Sequence, residues 1–243
     1  MRLKFLFTLI LLALVAACGP NEPHDAPYAV QHRGALKNIM RKGDLSAKVE
    51  LSTFADSAHL YALGAIENLK GEVLVLDGQA YHSSVRGEEH VMDHTFAPAA
   101  TLLVYAQVKA WQTLPIPSSV VTYTDLETFV AEAAASHGLD TDYPFPFLLK
   151  GRPASLDWHI IDWPEGDTEH THEKHIRSGL HATARDTPVT MLGFYSDRHH
   201  AVFTHHTTNM HIHFLTDDRS LAGHVDGLRL QEGMMLSLPL ADE

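Results

Sequence analysis

Cysteine is nearly missing: Cys18 is the only one in 243 residues. That excludes an internal disulfide framework and any all-thiolate metal site. Basic side chains are scarce, 18 Lys and Arg against 30 Asp and Glu, for a formal net charge of −12. A protein that grips a phosphate backbone needs clustered Lys and Arg, so no nucleic-acid partner is expected. With 15 Gly and 12 Pro the chain has too little of either to be collagenous or low-complexity. There is no Gly-x-Ser-x-Gly elbow and no Gly-rich phosphate cradle after a strand, so metal chemistry is the enzymatic option left. Histidine, by contrast, is abundant. The chain has 19, and twelve of them run from His159 to His224.

The first residues read as an address. Arg2 and Lys4 precede an apolar run over residues 5–15, and Ala16-Ala17-Cys18-Gly19 follows. As a helix that run rises about 16 Å, short of the roughly 30 Å hydrocarbon core, and no later stretch could span a bilayer. A basic start, a short apolar middle and small residues before the cleavage point describe a secretory signal over residues 1–17. Leu14-Val15-Ala16-Ala17-Cys18 also resembles a bacterial lipobox, which makes Cys18 the lipidated mature N-terminus. Residues 18–28, with Pro20, Pro23 and Pro27, read as a tether. The expected location is the periplasmic side of the outer membrane, with contact to the membrane only through the anchor.

Beyond the tether, 45% apolar composition predicts a globular body of one large domain or two small lobes. Residues 34–51 carry Ala35, Leu36, Ile39 and Met40 before Gly43, the pattern of one short helix. Glu72-Val73-Leu74-Val75-Leu76 followed by Asp77-Gly78 predicts a strand entering a two-residue hairpin. Residues 99–108 predict a strand and 124–137 a helix stopped by Gly138. Tyr143-Pro144-Phe145-Pro146 reads as a break between an N-terminal α+β lobe (29–142) and a C-terminal His-rich β lobe (143–243). In the second lobe strands are expected over 147–149, 156–161, 189–195, 200–204, 210–215 and 224–230, with the polar stretch 164–177 as a loop. Many strands and few helices predict an α+β fold on mixed or antiparallel sheets rather than a doubly wound parallel one.

His211-Ile212-His213-Phe214 lies in one of these strands, so both imidazoles point to one face and Ile212 and Phe214 to the other. Thr216 to Ser220 is turn-rich, and a return strand would bring His224 beside the pair. Three imidazoles around one point, with positions left open, are the arrangement of a catalytic zinc site. The bland alternative is a solvated His face with a third His nearby by chance. His170, His172 and His175 form a second cluster with ligand-like spacing in an acidic loop, expected to be solvated. His59, His82, His90, His94 and His137 read as surface or satisfied polar residues.

Residues 64–78 (GAIENLKGEVLVLDG) and 210–226 (MHIHFLTDDRSLAGHVD), together with Gly193-Phe194-Tyr195-Ser196, resemble segments of the α-acetolactate decarboxylase family. The similarity runs from about residue 34 to 230. The resemblance implies a two-lobed α+β fold, often a homodimer, with one Zn²⁺ held by His211, His213 and His224 and with Glu72 facing the metal from the other lobe. It implies removal of CO₂ from 2-acetolactate, or a related small 2-hydroxy-3-oxo acid, to leave acetoin. In that chemistry the metal acts as a Lewis acid, and Glu72 holds the reacting group or relays a proton.

The chain departs from the family in three places. His159 stands where the family has an Arg, with Arg152 as the nearest spare guanidinium, and His cannot reproduce a planar bidentate grip on a carboxylate. Ala65 replaces a Thr. The family's late carboxylate has no motif-matched counterpart, and neither Glu232 nor Glu243 lies in a motif that would make it one. His159 is accordingly grouped with Glu72 as a candidate catalytic residue. A three-imidazole site also suits iron, manganese or nickel. The rival reading is a periplasmic metal-binding lipoprotein on the same fold, without decarboxylase activity.

Overall fold

The computed structural model describes residues 28–240. The signal segment, Cys18 and the tether as far as residue 27 lie outside the described residues, as does Glu243. Tyr28, the last residue assigned to the tether, is buried in the main apolar core and belongs to the folded body.

Two eight-stranded antiparallel sheets make up the body. The first contains β1 (Gln31–Arg33), β2 (Val49–Glu50), β3 (Leu60–Ile66), β4 (Glu72–Leu76), β5 (Gln79–Ala80), β6 (His82–Arg86), β7 (Glu89–Asp93) and β8 (Ala99–Gln107). Its order is β1-β8-β3-β4-β6-β7, with β2 on β8 and β5 on β4. The second contains β9 (Trp111–Pro115), β10 (Phe145–Gly151), β11 (Ser155–Ile160), β12 (Leu180–Ala184), β13 (Val189–Tyr195), β14 (Met210–Thr216), β15 (Ala222–Arg229) and β16 (Met235–Pro239), in the order β12-β11-β15-β14-β13-β10-β16-β9. The α-helices are α1 (Leu36–Lys42), α2 (Tyr123–Ser136) and α3 (His172–Arg177). This is the α+β, antiparallel architecture that the strand-rich pattern predicts.

Local chemistry accounts for the elements. Gly43 adopts φ 60° and closes α1 with a left-handed cap. Asp77 (φ 49°) and Gly78 (φ 75°) form the hairpin turn between β4 and β5, in the conformation that two-residue hairpins favour. The helix expected to start at Thr124 is capped two residues earlier. The Thr122 hydroxyl accepts from the Asp125 amide at 3.1 Å, and the Asp125 carboxylate accepts from the Thr122 amide at 2.9 Å.

Three expectations for the C-terminal half need correction. The chain passes from the first sheet to the second between β8 and β9, not at Tyr143–Pro146; Phe145 and Pro146 already pair with Tyr195 and Phe194 in β10. Pro146 is tolerated because β16 reaches β10 only from Leu148 onward. Residues 200–204 form turns with one isolated bridge rather than a strand. The polar stretch read as a loop contains α3, started by Thr171, whose hydroxyl accepts from the Lys174 amide at 3.2 Å. Strands β9, β12 and β16 carry little sequence signal because each is short and only partly apolar.

The sheets face each other, with β15 lying against β4 and β6, and β13 against β3. One apolar core draws on both, including Leu63, Leu74 and Val104 from the first and Phe147, Met191 and Leu215 from the second. Polar links cross the same gap. The Ser83 hydroxyl donates to the Ala222 carbonyl at 2.7 Å, and the Trp163 amide donates to the Leu69 carbonyl at 3.0 Å. Two glycines are dictated by close approach. A Cβ on Gly71 (φ 145°) would sit 2.1 Å from the Ser83 carbonyl oxygen, and one on Gly193 would sit 2.1 Å from the Phe147 ring.

His82 in β6 is buried, not a surface residue, and its Nδ1 accepts from the Leu74 amide at 3.3 Å. Burial drives its pKa from 6.5 down to about 4. The unfolded chain therefore binds the proton first. The stability this neutral His contributes is complete above pH 6.5 and is lost as pH falls towards 4. In metal-free protein, urea unfolding at pH 7 and pH 5 is expected to differ by about 2 kcal/mol on this account. His82→Asn, which keeps an acceptor for the Leu74 amide, is expected to flatten the dependence; an unchanged slope would refute the assignment.

Candidate metal centre and its cavity

Antiparallel pairing of β14 with β15 sets His213 directly opposite His224, and His211 lies two residues before His213 on the same face. The ligand atoms of His211, His213 and His224 lie within 4.8 Å of one another. The Nε2 atoms of His211 and His213 are 3.2 Å apart. Ile212 and Phe214, on the opposite face, belong to the main apolar core. Packing on that face therefore holds the imidazole face in place.

The electrostatics suit a cation. Burial, reinforced by neighbouring His, pushes the pKa of His211 and His213 well below the ordinary value, so both rings are neutral and carry a free lone pair. Their Nδ1 atoms are buried with no hydrogen-bond partner of good geometry. The backbone of Phe203 and of Val73 lies near enough to oppose the shifts slightly.

An outer layer orients the third ring. Asp226 occupies the position on β15 where pairing with β11 shifts: Asp157 pairs with Gly227, whereas Trp158 pairs with Val225. Such a bulge re-aims a side chain. The Asp226 carboxylate sits 3.0 Å from His224 Nδ1 and 2.8 Å from His159 Nδ1. Burial opposes its ionisation, but these two hydrogen bonds outweigh burial and hold its pKa well below the carboxylate range. An ionised carboxylate only accepts, so both Nδ1 atoms carry the protons of these hydrogen bonds. Carboxylate-to-histidine bonds of this kind orient metal-ligating imidazoles. The second possible ligand group, His159, His224 and Asp226, is accounted for by the same hydrogen bonds.

Glu72 enters from the opposing sheet, at the head of β4 just after Gly71. It is buried, with Oε2 3.7 Å from His213 Nε2 and Oε1 3.6 Å from His159 Nε2. The Ile161 amide donates to Oε1 at 3.0 Å. Burial pushes the Glu72 pKa up to about 7, against the pull of His224 and of the Ile161 amide.

Glu72, His159, His211, His224 and Asp226 line one side of a cavity of about 380 Å³, with His213 fully buried behind them. Tyr123, from the start of α2, also lines it, and its hydroxyl donates to the Met210 carbonyl at 3.4 Å. Among the described residues lining the cavity, none is Lys or Arg. Arg152 is exposed and donates to the Asp186 carbonyl at 2.8 Å, so it does not stand in for the missing guanidinium. Glu232 is exposed in a turn and Ala65 is on the cavity wall.

The cluster expected to be solvated is partly built in. His170 Nδ1 lies 3.0 Å from His175 Nε2, and the His170 ring stacks on Trp163 with centroids 4.5 Å apart. Burial and the neighbouring His170 drive the His175 pKa down to about 4. His172, His175 and His205 also line the cavity. Sequence reasoning missed Asp226, His175 and His205 as site residues. Asp226 was findable, because it lies two residues from His224 in a strand and so shares its face. The other two lie outside strands, and their approach to the cavity had no local signal.

A sequence model of the alpha-acetolactate decarboxylase family matches residues 37–240. Among solved structures, a Staphylococcus aureus protein of unknown function similar to alpha-acetolactate decarboxylase shares 19% identity, covering 86% of this chain and 84% of its own, with a TM-score of 0.67. Alpha-acetolactate decarboxylase from Bacillus subtilis strain 168 shares 13% identity over 86% of this chain and 85% of its own, with a TM-score of 0.66. That from Bacillus subtilis subspecies spizizenii shares 12% over 88% and 86%, with a TM-score of 0.67. No curated protein matches the chain. The match across most of the sequence, joined to the shared fold, shows that this chain belongs to the alpha-acetolactate decarboxylase family.

Proposed function

We propose that the protein is a zinc-dependent decarboxylase that converts 2-acetolactate, or a related 2-hydroxy-3-oxo acid, into CO₂ and a hydroxyketone. The observation that carries this reading is the convergence of His211, His213 and His224 opposite the buried Glu72, at one side of a cavity. Three imidazoles with further positions left open fit a catalytic zinc rather than a structural one. When bound, such an ion supplies Lewis acidity for the substrate's oxygen atoms.

The chain's own groups divide the remaining work. Asp226 fixes the tautomers of His224 and His159 and keeps both rings oriented. The Ile161 amide holds one oxygen of Glu72 and leaves the other towards the imidazoles. When the carboxylate–carbon bond breaks, its electron pair moves onto the ketone oxygen and an enediolate results. Glu72, raised by burial into the range of a neutral-pH acid, holds the proton that then reaches the carbon. The lipobox-like segment ending at Cys18 supports an envelope location for the enzyme, and intact-mass analysis of membrane-extracted protein tests for the acyl groups.

Four outcomes are expected of purified protein lacking residues 1–18. Zinc-loaded protein is expected to release acetoin from 2-acetolactate; no turnover with zinc demonstrably bound would remove the decarboxylase reading. Metal analysis is expected to find one tightly held zinc that His213→Ala abolishes. Several weakly held ions, unaffected by that change, would favour the metal-binding lipoprotein instead. Glu72→Gln is expected to lower kcat by about 10²- to 10⁴-fold at unchanged zinc content. Asp226→Asn is expected to weaken zinc binding about 10- to 100-fold, read by competition with a chromogenic chelator.

A further inference from the structure

The cavity has two chemically different ends. One end holds Glu72, His159, His211, His224 and Asp226. The other is an apolar wall of Leu36, Ile39, Ala65, Leu69, Leu102 and Ile161. All but Leu36 belong to a small apolar cluster separate from the main core, and Leu36 packs on it. The wall begins directly beside the polar end. Ala65 is the cross-strand partner of Glu72, and Ile161 is the residue whose amide holds the Glu72 carboxylate.

The backbone at this wall is held in costly or exacting conformations. Asn68 and Leu69 adopt φ of 59° and 52°, left-handed values that a Leu rarely takes. This pair leads through Gly71 into Glu72. Helix α1, which brings Leu36 and Ile39 to the wall, is docked by its first amides: Leu36 N–H donates to the Val202 carbonyl and Lys37 N–H to the Ala201 carbonyl, both at 2.8 Å. Strain of this kind persists only where the surroundings over-determine it, and it clusters at ligand sites.

Size points the same way. A space of about 380 Å³ would hold on the order of a dozen waters at about 30 Å³ each, more than 2-acetolactate with its two methyl groups fills. It falls in the roughly 300–1,000 Å³ range of pockets that enclose larger organic ligands. Water left against the apolar wall would be poorly hydrogen-bonded, and displacing it with alkyl groups is favourable. With no Lys or Arg on the lining, the cavity discriminates by apolar fit rather than by a cationic clamp.

From this geometry we infer that the preferred substrate is a 2-hydroxy-3-oxo acid bearing an alkyl substituent larger than methyl, seated on the Leu69–Leu102–Ile161 wall. The inference rests on the decarboxylase reading above. The reaction is unchanged: the carboxylate–carbon bond breaks, CO₂ leaves, and a solvent-derived proton replaces it on the carbinol carbon to give the longer hydroxyketone.

The test is a homologous series in which the substituent on the carbinol carbon grows from methyl to pentyl. Calorimetry with the corresponding non-reactive 2,3-dihydroxy acids, on zinc-loaded and metal-free protein, reads binding. Release of CO₂ from the oxo acids reads turnover. Affinity is expected to rise about fourfold per added methylene until the wall is covered, with the same increment in both forms of the protein, and kcat/KM is expected to follow. Ala65→Phe, which fills the wall, is expected to abolish the increment. A flat or falling series in the unaltered protein overturns the inference. If 2-acetolactate is nevertheless turned over, the decarboxylase reading survives; if zinc is bound and no member releases CO₂, both fall.

Discussion

The pairing of His213 with His224 across β14 and β15 is the contact on which the rest of this protein's site depends. Two imidazoles facing each other across a strand pair, with a third two residues along, leave little freedom in where a cation can sit. Strand geometry sets the spacing without help from loops. The apolar residues between them, Ile212 and Phe214, anchor the opposite face in the core. A one-residue slip of register would exchange the two sets, placing imidazoles in the core and aromatic bulk in the cavity. Fold stability and ligand geometry are thus enforced by the same alternation.

Around that ribbon the charges are graded. Asp226 is held ionised by two imidazole N–H donors, whereas Glu72, buried across the cavity, is pushed towards the neutral acid. Two carboxylates at one site are shifted in opposite directions because one accepts hydrogen bonds from two rings and the other is dominated by burial. This separation of pKa values allows one group to orient while the other exchanges a proton. A His159–Asp226 pair sits beside Glu72, so a hydrogen-bonded ring rather than a guanidinium faces it.

Much of the fold was legible. The two-residue hairpin after Leu76, the helix stopped by Gly43, the helix ending before Gly138 and the strands carrying His159, Gly193 and the His211–His224 ribbon all announce themselves through turn chemistry or period. Strands β1, β2, β3, β6, β7, β9, β12 and β16 went unpredicted; β1, β7, β9 and β12 sit at sheet edges and β16 pairs with strands far away in sequence, where tertiary context overrides weak propensity. The helix α3 was hidden because all its residues but Ile176 are polar and only the Thr171 cap marks its start. Pro144 and Pro146 read as a break, yet Pro146 sits in a strand at a point where one side lacks a partner.

What the chain alone determined was a face: residues two apart in a strand point together, so His211 and His213 were committed to one side before any tertiary contact formed. It also determined the turn that returns His224 and the Gly71 that allows Glu72 to approach Ser83. Depth and company were decided only in three dimensions. The bulge that aims Asp226 at two imidazoles, the sheet-to-sheet packing that delivers Glu72, and the wall of Leu69, Leu102 and Ile161 all join residues separated by long stretches of chain. Local propensity has no term for such contacts. They form because two sheets with apolar inner faces must bury those faces against each other, and the polar groups caught between them must find partners there.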